Sequence, residues 1–346
     1  MPAKKPKGAA KGKKDQVQDE TTETLYRQYR KNLQASGISM PRKLVEKFAE
    51  LRDEKTPGDL NELGIFEEIG PEGIWAIAEP LRDLEYKHLK DLRLWGTGIQ
   101  DDGLRSIAQY IKNSISLKTV EFVNCRIGQL GCEFLSQAFG PDSHNFIASL
   151  KLDYNNIGNE GIQNLAKGLS LNCNLTNLSL AFCEIEPEGA RSILEIVINQ
   201  KSALKDLNLE GNCLRNTGVI TLFRSMSINK SIENINLTSN QFGEEENLLS
   251  AFRETVQSNS TLKSLNLMKN GFYEAGGQAI LNILTETTYD GQPITFALTS
   301  LKLPETVPRD IAKAIETAFK ENKKRKGKGK KKKGKGKKKG KGKKKK

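Results

Sequence analysis

Apolar and polar positions recur along this chain in a fixed order. The same eleven-residue arrangement appears as LKDLRLWGTGI from Leu89, LKTVEFVNCRI from Leu117, IASLKLDYNNI from Ile147, LTNLSLAFCEI from Leu175, LKDLNLEGNCL from Leu204, IENINLTSNQF from Ile232 and LKSLNLMKNGF from Leu262. Successive starts are 28, 30, 28, 29, 28 and 30 residues apart. A fixed period of this size marks a stack of supersecondary units, each too small to bury its own apolar face. Within a unit the L-x-L step alternates with period two, which predicts a short parallel strand: Leu207 and Leu209 face the core and Asn208 faces out. The second half switches to helical spacing, as in GIQNLAKGL, where Ile162, Leu165, Ala166 and Leu169 fall at i, i+3, i+4 and i+7. Gly103, Gly131, Gly161, Gly189, Gly218 and Gly276 recur before or at the helix start. The unit from Ile232 has Glu246 at that point, so its helical side is expected to be irregular.

The units fit L-x-x-L-x-L-x-x-N/C-x-L and resemble the ribonuclease-inhibitor-like class of leucine-rich repeats. The resemblance covers roughly Leu60 to Pro304, with LNELGIFEEI from Leu60 and LTSLKLPETV from Leu298 as degenerate outer units. It implies an α/β horseshoe, with parallel strands on the concave side and α-helices on the convex side. For function it implies less, because the class includes inhibitors, GTPase-activating proteins and plain scaffolds. The ninth position of each unit (Thr97, Cys125, Asn155, Cys183, Asn212, Asn240, Asn270) carries a small polar or thiol side chain suited to satisfying buried backbone groups where the chain leaves the strand.

The flanks set the boundaries. Residues 21–58 read as a helical cap, with stripes Leu25, Tyr26, Tyr29, Leu33 and Leu44, Val45, Phe48, Leu51, Ser39 as N-cap and Pro41 in the first turn of the second helix. A partner-binding coiled coil is the alternative, but two short stripes do not sustain heptads. The solenoid is placed at 59–304 and a closing helix at 305–322, with Ile311, Ile315, Ala318 and Phe319 on one side. TETTYDGQPITFA lengthens the last spacing to 36 residues and reads as a tolerated insertion or a contact element. Residues 1–20 and 323–346 are expected to be disordered basic tails.

Charge changes this picture at the ends only. Residues 323–346 hold 18 Lys/Arg and 6 Gly, residues 1–14 hold 6 Lys, and neither has an Asp or Glu. The remaining 31 Lys and Arg face all 42 Asp and Glu, so residues 15–322 carry a formal charge of −11 inside a chain of net +13. No apolar run reaches the roughly 18–20 residues needed to cross a bilayer, and the N-terminus has no signal-peptide pattern. Five cysteines without C-x-x-C spacing argue against a disulfide framework or zinc site and for a reducing, cytoplasmic or nuclear compartment. There the sequons at Asn174, Asn229, Asn236 and Asn259 are chance matches.

Catalytic groups are scarce. His88 and His144 read as surface residues, Glu244, Glu245 and Glu246 as a solvated turn, and no phosphate loop is present. The chain is therefore expected to be a non-enzymatic scaffold without cofactor or metal. A GTPase activator of the Ran type is the rival reading, although those proteins carry an acidic segment where this chain is basic.

Two binding surfaces are expected. In a parallel stack, equivalent positions lie about 4.8 Å apart, so alignment columns become stripes. Trp95, Val123, Tyr154 and Phe182 cluster over the first four strong units and form a candidate protein-binding patch, unless they pack on the N-terminal helices. Lys323, Lys324, Arg325, Lys326, Lys330, Lys331, Lys332 and Lys333 form a candidate polyanion-binding segment. It lacks the aromatics and arginines that read bases, so its targets are acidic tubulin tails, RNA or DNA backbone, or acidic lipids. Solubilisation or nuclear targeting is the bland alternative. Lys/Gly-rich ends beside such repeats are similar to those of some ciliary and microtubule-associated proteins, which gives cilium or axoneme as the expected location and nucleus or ribosome as the alternative.

Overall fold

The computed structural model describes residues 16–53 and 58–336. Nine strands form one sheet in strict chain order, every neighbouring pair parallel. They are β1 (Glu62–Ile65), β2 (Asp91–Trp95), β3 (Thr119–Val123), β4 (Ser149–Lys151), β5 (Asn177–Ser179), β6 (Asp206–Asn208), β7 (Asn234–Asn236), β8 (Ser264–Asn266) and β9 (Ser300–Lys302). Register follows the alignment: Leu92, Val120, Leu150, Leu178, Leu207, Ile235, Leu265 and Leu301 pair in sequence across the sheet. Parallel strands need a return path, and a helix supplies it in every unit. These helices are α3 (Gly70–Asp83), α4 (Gln100–Asn113), α5 (Gln129–Phe139), α6 (Gly158–Leu169), α7 (Ala190–Val197), α8 (Arg215–Met226), α9 (Glu246–Ser258) and α10 (Glu274–Thr285). The core lies between the layers: Leu207, Leu209, Ile162, Leu165, Ala166 and Leu169 are all buried, while Asn208 reaches the open face of the sheet. The result is the expected leucine-rich repeat horseshoe.

Glycine recurs at the helix starts because adjacent helices touch there. A Cβ on Gly103 would stand 2.6 Å from Ile74 Cγ2 of the preceding unit. Between α5 and α6 the approach is closer still, and a Cβ on Gly168 would stand 2.1 Å from the Ser136 carbonyl oxygen. The expected irregularity beside Glu246 does not occur. Helix α9 is regular, because it starts at Glu246 itself and leaves that side chain exposed at its first turn.

At the N-terminal end, α1 (Gln16–Ala35) and α2 (Arg42–Asp53) cover the first unit. Leu25, Tyr29, Leu33, Leu44, Phe48 and Leu51 are buried. The phenol of Tyr86 ties this cap down, accepting a bond from Leu60 N at 2.7 Å and lying 3.3 Å from Thr22 Oγ1. Three expectations change here. The helix starts at Gln16 rather than after residue 20, since QVQDE contains no helix breaker once the Gly/Lys run has ended. Val45 is exposed, on the flank of its stripe. The free N–H of Arg42 at the start of α2 is bonded by Glu67 Oε1 of the first unit at 3.1 Å, a long-range cap in place of Ser39.

At the other end, α11 (Arg309–Gly336) continues past the expected boundary at residue 322. Lysine sustains a helix well, and the packed half of α11 nucleates the turns that follow. Ile311, Ile315 and Ala318 are buried, and Asn322 closes the stack by donating from Nδ2 to Phe296 O at 2.9 Å. The 36-residue spacing is a small turn, bridged Thr287 to Pro293, with Tyr289 fully exposed at its tip. Residues 1–15 and 337–346, and with them the terminal parts of both basic tails, lie outside the described residues.

Candidate functional site: the concave face and its aromatic rim

Two internal ladders hold the face. The first is the ninth-position column. Asn155 Oδ1 accepts from Cys125 N at 2.9 Å and Ile127 N at 3.1 Å, while its Nδ2 donates to Phe122 O and Leu152 O at 2.7 and 2.8 Å. Asn212 repeats this one unit pair later, serving Cys183 N, Ile185 N, Leu180 O and Leu209 O. Cys125 and Cys183 fill the column with thiols that donate to Leu94 O and Leu152 O. Burial pushes the Cys125 thiol up and takes Cys183 to about 12, so both stay protonated and unreactive. The sequence assigns this column a structural role, and the geometry agrees.

The second ladder was not legible as such. In the thirteenth column, a side chain of one unit bonds the start of the next helix. Asp101 Oδ1 accepts from Gly128 N at 2.7 Å, Asn159 Oδ1 from Glu186 N and Gly189 N, and Asn216 Oδ1 from Gly243 N. Glu244 Oε2 accepts from Tyr273 N at 3.0 Å and Gly276 N at 2.7 Å. Glu244 is thus a helix cap and not surface solvation, and Glu245 accepts from Asn216 Nδ2. The recurrence of Asp, Asn or Glu twelve residues after the opening Leu or Ile in five of the seven strong units (Asp101, Asn159, Asn216, Glu244 and Glu274) is the signal that could have shown it. On the other rim, Asn229 and Asn259 are buried and hold the start of the next unit through Ile232 N and Leu262 N.

Outward strand residues make up the face. Its first part is ionic: Arg93 pairs with Glu62, Asp91 and Glu121. Its later part is a trough of about 470 Å³ floored by amides and hydroxyls, including Asn177, Ser179, Asn208, Asn234 and Asn236, with Lys151, Asp206 and Lys302 also on its lining. Asp206 accepts from Asn177 and Asn234, and Glu210 from Asn236 at 3.0 Å. Among the described residues neither carboxylate has a Lys or Arg partner.

The four sequence-predicted residues are brought together in two groups. Trp95, 40% exposed, donates from Nε1 to Glu121 Oε2 at 2.9 Å and meets Phe66 edge-on at 5.8 Å. Tyr154 and Phe182, 53% and 38% exposed, stack at 4.6 Å with planes 7° apart. Val123 is half-buried. None of the four is sealed by the N-terminal helices; α2 contributes Lys43, whose ammonium lies 4.4 Å from the Phe66 centroid. Sequence reasoning missed Phe66, the equivalent of Trp95 in the degenerate first unit. It also missed the backbone. Gly96, Asn124, Tyr154, Phe182, Gly211, Ser239 and Lys269 all take positive φ, from 52° to 71°. A bulky residue at such φ costs about 1–2 kcal/mol. This turn lifts Tyr154 and Phe182 onto the rim, and Gly211 leaves room for the second ring: a Cβ there would stand 2.3 Å from Phe182 Cδ1.

Of the candidate polyanion residues, Lys323 and Lys324 are exposed on α11, and Arg325 is paired with Glu321 at 3.0 Å. The side chains of Lys326, Lys330, Lys331, Lys332 and Lys333 lie outside the described residues, although their backbone is in α11. His144 is exposed, whereas His88 is half-buried with Nδ1 2.9 Å from Asp59 Oδ2, because the first unit folds Asp59 back against it. Among the described residues no three His, Cys, Asp or Glu are placed to hold a metal ion, and no helix is long and apolar enough to cross a membrane.

Comparison with known proteins agrees with the repeat geometry. The family model described as "Leucine Rich repeat" matches residues 87–108, 143–166, 171–194, 201–223 and 258–281. Ribonuclease inhibitor of Sus scrofa is 29% identical over 140 residues, and that of Mus musculus 32% over 139; each match covers 40% of this chain and 30% of the inhibitor. NACHT, LRR and PYD domains-containing protein 9B of Mus musculus is 27% identical over 195 residues, 56% of this chain and 19% of that protein. The matches thus span under a third of each relative's length. The chain is a leucine-rich repeat protein of the ribonuclease-inhibitor-like class.

Proposed function

We propose that the chain is a non-enzymatic adaptor that binds a protein partner on the concave face and is tethered by its basic termini to a polyanionic structure, with axonemal microtubules as the leading one. A repeat solenoid with a polar face and no reactive constellation suits protein interaction, and its matched relatives are built on the same repeat. The observation that carries the reading is the Tyr154–Phe182 stack. Two aromatic rings are held at positive φ, packed on each other and over Gly211, with large parts of both open to solvent. Exposed aromatics on a rigid scaffold are the residues that dominate interface energies, by about 2 kcal/mol or more per anchor.

Replacing Trp95 and Phe182 together by Ala is expected to abolish capture of the partner while leaving the far-ultraviolet circular dichroism and melting curve intact. Unchanged capture would refute the face. The tether is tested by co-sedimentation with microtubules before and after removal of the acidic tubulin tails. Binding that requires those tails supports microtubules, whereas binding to RNA alone, steeply weakened by salt, moves the location to nucleus or ribosome. Stimulation of GTP hydrolysis by a small GTPase would overturn the non-enzymatic reading.

A further inference from the structure

The rings of this face already attract ammonium groups, and the cations they have found belong to the chain itself. Lys43 Nζ lies 4.4 Å from the Phe66 centroid and Lys151 Nζ 5.4 Å from that of Trp95. The Tyr154–Phe182 pair has no such visitor among the described residues, and beside it stands Glu210, whose backbone carbonyl accepts from Phe182 N at 2.7 Å and whose carboxylate accepts from the Asn236 amide. A π face next to an unpaired carboxylate favours a cation twice over. The occupant that fits is Lys-rich and free of acidic residues.

Residues 323–346 have that composition, with 18 Lys/Arg and 6 Gly, and the body they leave is acidic overall. We infer that the Lys/Gly-rich C-terminal segment of one copy docks along the Trp95–Tyr154–Phe182 rim, against Glu210, of a second copy. This rests on the reading of the concave face as a binding surface, and it names an occupant for that face.

Geometry favours a second copy over the chain's own tail. All strands are parallel, so each helix runs back from the rim where strands end to the rim where they begin. Helix α11 has 28 residues against 12 in its neighbour α10, so it overshoots that far rim by about 24 Å. The ten residues that follow Gly336 span at most about 35 Å. To reach Phe182 they would retrace the overshoot, cross the sheet, another 15 Å or so, and pass about four strands at about 4.8 Å each, roughly 43 Å in a straight line. A neighbouring molecule has no such constraint. A polyanion that takes the tail would release the face, so tether and partner site would compete for the same state.

Sedimentation velocity of the full chain, at about 50 mM and about 500 mM salt, tests this. Self-association is expected at low salt, weakened at least about ten-fold at high salt. Two full-length variants are then compared: one with Trp95→Ala and Phe182→Ala, the other with every lysine from Lys326 to Lys346 replaced by Gln. Each alone is expected to be monomeric, and their mixture to form a 1:1 heterodimer, because one retains the tail and the other the face. Glu210→Lys, a surface change that leaves the rings in place, is expected to weaken association as well. A monomeric wild type at low salt, variants that associate like wild type, a mixture that stays monomeric, or crosslinks from tail lysines to Glu210 confined to single chains would each overturn the inference. Microtubule binding or partner capture that persists in a monomeric wild type would leave the adaptor reading standing and remove only this occupant.

Discussion

Replacing Asn212 by Ala is expected to destabilise the protein by about 3–5 kcal/mol. The amide of Asn212 bonds two backbone N–H groups, of Cys183 at 3.1 Å and Ile185 at 3.0 Å, and two carbonyls, of Leu180 and Leu209 at 2.8 and 2.9 Å. Alanine leaves both N–H groups buried without an acceptor, at about 1–3 kcal/mol each, and weakens two carbonyls that retain a second lone pair. Asn240 is an internal control. It sits in the same column and is equally buried, yet its Oδ1 has no partner, and its Nδ2 serves Leu209 O and Thr238 O. Asn240→Ala therefore orphans no N–H and is expected to cost about 1 kcal/mol. Urea unfolding followed by far-ultraviolet circular dichroism, on the full chain, separates the two. Stability in a solenoid is a sum of neighbour terms, so the Asn212 variant is also expected to broaden or split its transition as the units on either side uncouple. A loss below about 1 kcal/mol for Asn212→Ala, or equal losses at the two sites, would refute the reasoning.

Three other outcomes follow from the same structure. Gly168→Ala gains up to about 1 kcal/mol of helix propensity but sets a Cβ against the Ser136 carbonyl, so a net loss of about 1–3 kcal/mol is expected, read as a lowered Tm. Cys173 is exposed, Cys213 half-buried and the other three thiols buried; Ellman's reagent is expected to modify Cys173 rapidly and Cys125, Cys132 and Cys183 only on unfolding, and Cys173→Ser to remove the fast phase. Burial raises the thiol of Cys183 and the phenols of Tyr29, Tyr86 and Tyr110, the last to about 12. Groups raised on folding contribute stability that is complete below their unfolded values, near 9 and 10, and is lost as pH rises toward 12. The urea midpoint is expected to hold steady to about pH 9 and fall progressively above it, and Tyr110→Phe to flatten the fall; a midpoint constant to pH 11 would contradict the burial of these groups.

The sequence was most informative where one unit suffices. Its period located the strands, and its L-x-L step assigned Leu207 and Leu209 to the core and Asn208 to the face, because alternation and helical spacing are properties of a few consecutive residues. It also identified the ninth-position column as structural. Expectations failed where a residue's partner sits in another unit. Glu244 read as solvated and caps α10; Ser39 read as a cap and is replaced by Glu67; Glu246 read as a disruption and begins a regular helix.

The candidate site divides the same way. Trp95, Val123, Tyr154 and Phe182 could be named from an alignment column, because a parallel stack turns columns into stripes. That Tyr154 and Phe182 stack in parallel, that Trp95 meets Phe66 edge-on, and that Glu210 lies beside the stack with no cationic partner among the described residues required the fold. Within one unit, the sequence by itself determined what repeats, what is apolar, which surface is polar and where the charge of the chain resides. Tertiary structure alone decided which side chains of successive units meet, since residues 26 to 30 apart become neighbours only once register and backbone handedness have stacked one unit on the next.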